Sequence, residues 1–397
     1  MRWLLRTMCL LHIIGNIFSL FKPKPRNPEA NMNVGEMISY WGYIYEEYDV
    51  VTEDGYIITV YRIPRGKNES RNLVPKPVVY LHHGWPLSAS IWILNPPSGS
   101  LGFLLADAGF DVWMGNSRGN TYARKHVYLD PDSREFWAFS YDQQIKYNIP
   151  ATIDFIINKT AQKHIYYVGY SEGTLLAFGA FATNPQLAQK IKINFALGPA
   201  ATVKHMSGLL RLIGYVKKTL SKILFGEKDI FSNSDVKYFV QFLCQREIIG
   251  TLCNYLLTLI SGYNPQNLNE SRFDVYAGQA PVGTSVQSML HYSQGIRTGV
   301  FQAYDWGSSS LNMLHYSQPT PPLYDVKKMK VPTAMWSGGR DLLADPTDVK
   351  YLEANISNLI YHKKIADYSH LDFVIGLNAP DEVFNEIVTF ITEDQSG

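Results

Sequence analysis

A single stretch, residues 165–182, constrains the fold more than any other part of the 397-residue chain. It begins with a β-branched and aromatic run that predicts a strand, and it ends with small and apolar residues that predict a helix. Between them lies Gly169-x-Ser171-x-Gly173. The two glycines allow strand and helix to approach closely at a sharp turn, where a Cβ would collide. This pattern is typical of a nucleophile elbow, which raises a serine hydroxyl above a parallel sheet.

The same five-residue pattern occurs a second time, at residues 115–119 around Ser117. The segment before it also resembles a strand, but residues 120–126 after it are polar and predict a surface stretch rather than a buried helix. Context therefore favours Ser171 as the nucleophile and places Ser117 in a loop. The helix behind Ser171 also presents unpaired N–H groups where an anionic tetrahedral intermediate would form.

The length of the chain suits one large α/β domain with an insertion, or two domains. Hydrophobic residues make up 46% of the sequence and charged residues 18%, which indicates a globular protein with a sizeable core. The formal net charge of +1 gives no overall field that would attract nucleic acid. Composition therefore leaves an α/β enzyme open and argues against a nucleic-acid partner.

The N-terminus predicts a secretory signal peptide over residues 1–19. Arg2 precedes an apolar run that ends at Ser19, and we place the cleavage after this small residue. A signal anchor is the alternative, but Arg6 interrupts the run and leaves it short for a bilayer span. No later stretch reaches a transmembrane length, so we expect a secreted protein, with the lysosome as the alternative destination.

Secretion would take the chain through an oxidising compartment, where disulfides form and Asn-x-Ser/Thr motifs can be glycosylated. Cys9 would leave with the signal peptide, and we expect the remaining pair, Cys244 and Cys253, to form a disulfide rather than stay as two free thiols. Asparagines in Asn-x-Ser/Thr motifs are glycosylation candidates where they reach the surface. The candidates are Asn68, Asn158, Asn269 and Asn355.

The order of predicted elements divides the chain into a core and an insertion. Strands and helices alternate over residues 20–202 and again over 328–397, which predicts an α/β-hydrolase core with a mostly parallel sheet. The core opens with a hairpin turning at Asp54–Gly55, and a helix over 142–160 should kink at Pro150. Residues 203–327 lack the alternation and predict a largely helical cap and lid over the site. The alternative is a helical packing layer with no gating role.

A serine nucleophile needs a histidine base that an acid orients. In α/β hydrolases the acid and base follow the serine, on loops after late strands. Asp341 directly follows a predicted strand and its glycine turn, and His370 lies in the loop after the last predicted strand. Asp345 is the alternative acid, although its place before Pro346 is typical of a helix start. The sequence thus predicts a triad of Ser171, Asp341 and His370.

The oxyanion formed in such a reaction needs two backbone donors. One is expected after the nucleophile, at Glu172, and the other in the loop that follows the early strand 77–81, at Trp85. The predicted chemistry is ester hydrolysis through an acyl-enzyme on Ser171, with no metal and no cofactor.

Taken together, these motifs closely resemble the mammalian acid lipase family, which includes gastric and lysosomal acid lipases. The resemblance covers nearly the whole mature chain. It implies the same triad, oxyanion residues and disulfide, a cap with a mobile lid, and hydrolysis of neutral lipid esters (triacylglycerols or sterol esters) at a lipid–water interface without a cofactor. The segments that carry it are 37–43, 51–56, 105–113, 115–121, 150–156, 301–307 and 341–346.

The chain departs from the family pattern in three places. The elbow, Gly-His-Ser-Gln-Gly in the family, here has Tyr170 and Glu172 beside the serine. The oxyanion loop, Leu-Gln-His-Gly-Leu in the family, here reads Leu-His-His-Gly-Trp and ends at Trp85, and Ser261 replaces a free cysteine. An ionised Glu172 carboxylate would oppose a developing oxyanion, so we expect a sharper acid optimum than in a Glu172→Gln variant.

These departures keep a second function class open, namely a hydrolase-fold protein of weakened activity that binds a lipid or a protein. A third reading, epoxide or haloalkane chemistry, is suggested by the His-Gly-Trp-Pro loop at residues 83–86. That chemistry requires an aspartate nucleophile at the elbow, and Ser171 argues against it.

Overall fold

The computed structural model describes residues 27–69, 75–231, 255 and 257–396. The predicted signal peptide (1–19) and both partners of the predicted disulfide, Cys244 and Cys253, lie outside the described residues. Among the helices that are described, none is both long and apolar enough to cross a bilayer.

One large mixed sheet forms the centre of the molecule. Its strands run in the order β1-β2-β4-β3-β6-β7-β10-β11, and β5 pairs with β2. A separate two-stranded sheet pairs β8 with β9. The strands are β1 (Glu46–Val51), β2 (Tyr56–Ile63), β3 (Val78–His82), β4 (Asp111–Gly115), β5 (Lys125–His126), β6 (Ile165–Tyr170), β7 (Ile191–Leu197), β8 (Asp229–Ile230), β9 (Thr284–Ser285), β10 (Thr333–Gly338) and β11 (Leu359–Ile365).

The prediction of a mostly parallel sheet is confirmed. Every pairing from β4 through β3, β6, β7 and β10 to β11 is parallel. The pairs β1–β2, β2–β4 and β2–β5 at the other edge are antiparallel, and β1 and β2 form the predicted hairpin around Gly55. Strands β3, β6 and β10 are buried along their whole length, as expected for central strands of a sheet that is covered on both faces.

Helices cover both faces of this sheet, and further helices lie outside it. The described α-helices are α1 (Val34–Tyr40), α2 (Leu101–Asp107), α3 (Tyr141–Gln143), α4 (Ile149–Thr160), α5 (Glu172–Thr183), α6 (Pro185–Ala188), α7 (Lys218–Phe225), α8 (Phe273–Gln279), α9 (Val286–Thr298), α10 (Ser309–Tyr316), α11 (Pro346–Glu353), α12 (Asp372–Ile375) and α13 (Asn385–Ser396). Short 3₁₀-helices span Pro28–Asn31, Ala89–Ile93, Pro97–Gly99, Glu135–Trp137, Leu209–Tyr215, Pro265–Asn267, Glu270–Arg272 and Val326–Lys328.

Two hydrophobic cores result, one on each face of the sheet. The alternation of side chains along β6 shows the division. Tyr166, Val168 and Tyr170 point into the core that contains α1, α2 and α13. Ile165 and Tyr167 point into the opposite core, which contains α4 and α5. Because β6 presents apolar side chains on both faces, helices must cover the sheet on both sides to bury them.

The helix predicted over 142–160 is not regular. A π-helical turn, Gln144–Asn148, joins α3 to α4 immediately before Pro150. Proline has no N–H to donate to the preceding turn, so an irregularity at this point has a direct cause. The turn buries Gln144 on the side of the helix that faces α5. A second π-helical turn, Pro380–Phe384, precedes α13.

The segment between β7 and β10 adds no described strand to the main sheet, although β7 and β10 are neighbours within it. We use the name cap for residues 203–327, the predicted insertion. Its described part is mostly helical, with α7 to α10 and the small β8–β9 sheet. Apolar residues of α9 pack with Ile230 and Tyr304 in a cluster of their own, and Trp85 of the core contacts this cluster.

Candidate active site

Ser171 lies at a sharp turn between β6 and α5. Its backbone has φ 54° and ψ −115°, a conformation that a non-glycine residue adopts only when its surroundings impose it. The flanking glycines are required sterically. A Cβ on Gly169 would lie 2.7 Å from the backbone of Gly173, and one on Gly173 would lie 2.2 Å from the His82 carbonyl oxygen. The predicted strand–turn–helix is therefore present, with the serine at its apex.

Asp341 and His370 are joined by a hydrogen bond. His370 Nδ1 lies 2.8 Å from Asp341 Oδ2, and both side chains are almost fully buried. The other carboxylate oxygen, Oδ1, accepts the backbone N–H groups of Leu343 and Ala344, each at 2.8 Å. Asp341 is thus held in one orientation by two donors. Asp345, the alternative acid, instead caps α11 by accepting the N–H of Thr347.

The end of β7 brings the histidine and the serine to the same edge of the sheet. The Ser171 N–H donates to Leu197 O at 3.0 Å. The next residue, Gly198, has φ 53°, and a Cβ built on it would lie 3.1 Å from His370 Cε1. His370 Nε2 is buried and has no hydrogen-bond partner among the described residues, so it is free to take a proton. In enzymes without bound substrate, a catalytic hydrogen bond such as the one expected between the Ser171 hydroxyl and His370 Nε2 is often long and tightens only when substrate binds.

The loop after β3 passes directly against the serine. A Cβ on Gly84 would lie 2.8 Å from Ser171 Cβ, so the chain here has no room for a side chain. Trp85 follows, and its backbone N–H donates to no residue of the described part. Glu172 N–H, in the first turn of α5, likewise has no intrahelical acceptor. The two predicted oxyanion donors thus flank the serine on different elements.

Two buried histidines support this loop from behind. The rings of His82 and His83 stack with their centroids 5.1 Å apart. His82 contacts Tyr80 OH at 2.8 Å and Ser117 Oγ at 3.3 Å, and His83 Nε2 accepts the Ser117 N–H at 3.0 Å. Burial lowers the pKa of His83 to about 4 and lowers the pKa of His82 well below its usual value. Ser117 therefore lies in a buried loop that supports His82 and His83, next to the candidate site.

The Glu172 side chain is buried and hydrogen-bonded on both sides. Oε2 accepts the hydroxyl of Tyr292 at 2.7 Å, and Oε1 lies 3.3 Å from Gln144 Nε2. Burial raises the pKa of Glu172 to about 7, although both hydrogen bonds favour the charged form. At acid pH the carboxyl is therefore neutral, which removes the opposition to an oxyanion that the sequence suggests. A neutral carboxyl is also close in shape to the family's glutamine.

Several positioning contacts have no clear signal in the sequence. Ser261 O accepts the His370 N–H at 2.9 Å, and Tyr170 OH donates to His370 O at 3.1 Å. Tyr292 of α9 meets Glu172 across 120 residues of chain. A tyrosine inside an amphipathic helix predicts only a core position, so neither pattern nor spacing indicates this contact.

The candidate glycosylation sites differ in exposure. Asn68 and Asn158 are exposed, whereas Asn269 and Asn355 are half-buried and hydrogen-bonded through their side chains. Glycosylation stays a prediction, and exposure favours the first two.

Within the described residues, no group of three or more His, Cys, Asp or Glu side chains is placed to hold a metal ion.

Comparison with known proteins identifies the fold and the family. The family model described as "alpha/beta hydrolase fold" matches residues 77–377, and one described as "Partial alpha/beta-hydrolase lipase region" matches residues 34–96. At the level of fold alone, a solved Sulfolobus solfataricus protein at 15% identity covers 94% of this chain and 99% of its own with a TM-score of 0.60.

Curated relatives match over the full length. Tear acid lipase-like protein of Mesocricetus auratus is 55% identical, covering 100% of this chain and 99% of its own. Gastric triacylglycerol lipase of Rattus norvegicus is 54% identical, with coverage of 99% and 100%. Lysosomal acid lipase/cholesteryl ester hydrolase of Homo sapiens is 51% identical, with coverage of 93% of each chain. The chain therefore belongs to the acid lipase family of α/β hydrolases, and it is a lipid ester hydrolase.

Proposed function

We propose that this protein is a serine lipase or esterase that hydrolyses carboxylic esters of neutral lipids, triacylglycerols or sterol esters, through an acyl-enzyme on Ser171. The observation that carries the proposal is the buried bond between His370 Nδ1 and Asp341 Oδ2 at the sheet edge where the strained Ser171 turn lies. The family relatives are named for triacylglycerol and cholesteryl ester hydrolysis, which supports the substrate class.

The chemistry proceeds in two halves. Ser171 Oγ attacks the ester carbonyl carbon while His370 Nε2 takes the hydroxyl proton, and Asp341 stabilises the imidazolium that forms. The backbone N–H groups of Trp85 and Glu172 stabilise the tetrahedral oxyanion. Its collapse breaks the bond to the alcohol, which leaves with the proton from His370. Water then attacks the acyl-enzyme with His370 again as base, and the fatty acid is released.

The described surface of the cap supports a lipid–water interface as the place of action. Large apolar side chains along residues 209–231 face solvent, among them Tyr215 (70% exposed) and Ile223 (76% exposed). Isolated exposed apolar residues are ordinary, but a run of them on one segment is typical of a surface that meets an apolar phase. We further propose that the protein acts after secretion, with the lysosome as the alternative destination, on the strength of its N-terminal segment.

A fluorophosphonate probe tests the proposed function. We expect the purified wild-type protein to be labelled and the adduct to map to the peptide that contains Ser171. A Ser171→Ala variant is the control and should stay unlabelled. A hydrolysis panel of short-chain esters, triacylglycerols and cholesteryl esters from acid to mildly alkaline pH would then rank the substrates.

The second candidate function is a hydrolase-fold protein that binds lipid or protein without turnover. The observation that favours it is that the residue directly after the nucleophile, Glu172, carries a negative charge once the pH exceeds its pKa of about 7. Absence of both labelling and hydrolysis in folded wild-type protein would support it and would contradict the enzyme proposal.

A further inference from the structure

Tyr292, in the middle of α9, links the cap to the candidate oxyanion site. It is 8% exposed. Its hydroxyl donates to Glu172 Oε2 at 2.7 Å. Its ring lies 5.5 Å from that of Trp85, centroid to centroid, at an interplanar angle of 49°. One cap side chain thus contacts both residues whose backbone N–H groups we assign to the oxyanion hole.

The contact with Glu172 fixes one of the two donors. The carboxyl of Glu172 is held between Tyr292 of the cap and Gln144 of the π-helical turn. Because Glu172 is the first residue of α5, these two hydrogen bonds on its side chain restrain the first turn of that helix. This first turn carries the Glu172 N–H that must donate to the oxyanion. A small displacement of such a donor sharply reduces the stabilisation that it gives to the transition state.

The contact with Trp85 fixes the other donor. The Trp85 indole packs edge-on against Phe231 at 5.6 Å and against Tyr292. Its Nε1 is buried and has no hydrogen-bond partner among the described residues. Ring packing rather than a polar anchor therefore holds the Trp85 side chain, and Tyr292 supplies part of that packing.

We propose that Tyr292 is a positioning residue for the oxyanion hole, holding Glu172 through its hydroxyl and Trp85 through its ring so that the two backbone donors keep the required spacing. The proposal rests on the proposed function, because it assigns a role in that same site. It adds a second cap residue to the site, beside Ser261, whose carbonyl oxygen accepts the His370 N–H.

The protonation of this cluster gives the proposal a pH signature. The titratable groups that face Glu172 are Tyr292 from α9, Tyr141 from α3 and Tyr167 from β6, and burial raises the pKa of each well above its usual value. They remain neutral over any working pH. No ion pair involving Glu172 forms in the described part of the chain. Glu172 alone then changes charge near neutral pH, and the rate should fall as it ionises.

Removing the Tyr292 hydroxyl should raise the pH at which the rate falls. A donor to a carboxylate favours the charged form, so its loss raises the pKa of the carboxyl. We expect Tyr292→Phe to shift the alkaline limb of the kcat profile to higher pH. It should also lower kcat about tenfold, with KM changed less than twofold, because one of the donors loses its support. Tyr292→Leu, which also removes the ring, should lower kcat about a hundredfold.

The matched control is Tyr324→Phe. Tyr324 is a half-buried cap tyrosine, and its hydroxyl donates to a carboxylate, Asp142 Oδ1, at the same 2.7 Å. It touches neither Trp85 nor Glu172 in the contacts described. Its loss should reduce thermal stability about as much as Tyr292→Phe does, while kcat and its pH profile stay as in wild type. In a Glu172→Gln background, Tyr292→Phe should produce no shift of the alkaline limb.

The outcomes separate the inference from the proposed function. If wild type hydrolyses esters but Tyr292→Phe matches Tyr324→Phe in kcat and pH profile, the positioning role is wrong and the proposed function stands. If folded wild type neither hydrolyses esters nor reacts with the fluorophosphonate, the proposed function is wrong and the positioning role is overturned with it. A tenfold loss of kcat with the shifted limb supports both.

Discussion

Replacement of Asp341 with asparagine is expected to lower kcat by about 10⁴-fold while leaving KM nearly unchanged. The reason is the orientation of the carboxylate. Leu343 and Ala344 N–H groups hold Oδ1 as an acceptor, so the new amide nitrogen must occupy the Oδ2 position and face His370. An amide NH₂ donates to Nδ1, which places the imidazole proton on Nε2. The histidine can then no longer accept the proton of Ser171.

Steady-state kinetics on a soluble ester would measure this effect. Asp345→Asn is the matched control, four residues away. Its side chain caps α11 through Thr347 N–H, a role that asparagine fills equally well, so kcat should stay within about twofold of wild type. A loss smaller than tenfold in Asp341→Asn would show that another group orients the histidine.

Glu172→Gln is expected to change the pH dependence of stability by about 3 kcal/mol. Burial raises the pKa of Glu172 in the folded protein from about 4.5 to about 7. As pH rises through this window, the unfolded chain releases the proton and the folded protein retains it. The wild type therefore loses stability between pH 4.5 and 7, and the loss is complete above pH 7. The glutamine variant has no such proton and should show no such loss.

Urea unfolding of both proteins at intervals from pH 4 to pH 8 would give the change in unfolding free energy with pH for each, and the two changes are then compared. Titrations of other groups, including His82 and His83, occur in both proteins and cancel. Glu46→Gln is the control. Burial alone would raise its pKa, but hydrogen bonds from Tyr48 and Arg62 outweigh this and lower it. The effect of that variant on stability should stay constant above pH 5. A Glu172→Gln effect that is equally flat would contradict the assigned protonation.

The elements that carry the chemistry could be predicted because the sequence encodes them locally. The Gly-x-Ser-x-Gly pattern lies within five consecutive residues, although the clash that requires Gly173 is with His82 of the neighbouring strand. The strand ends before Asp341 and His370 can likewise be recognised from a few adjacent residues. The hairpin at Gly55 and the cap of α11 at Asp345 follow from the same kind of local rule.

The contacts that modulate the site could not be predicted in this way. Tyr292 meets Glu172 only because the cap folds back on the core, and the same tyrosine in a different packing would be an ordinary core residue. Pro150 signals an irregular helix, but not that the irregularity is a π-helical turn that brings Gln144 onto Glu172. The sequence indicates the charge beside the nucleophile, whereas its neutralisation depends on burial by segments remote in the chain.

The placement of the cap between two paired strands has a consequence for synthesis of the protein. β7 pairs with β10, and residues 198–332 separate them. Until β10 leaves the ribosome, β7 has an unpaired edge, and at the usual rate of translation that interval is on the order of ten seconds. An open, apolar strand edge is a template for pairing with other chains. Nascent chains should therefore depend on chaperones during this interval, and the acid and base reach the serine only after it ends.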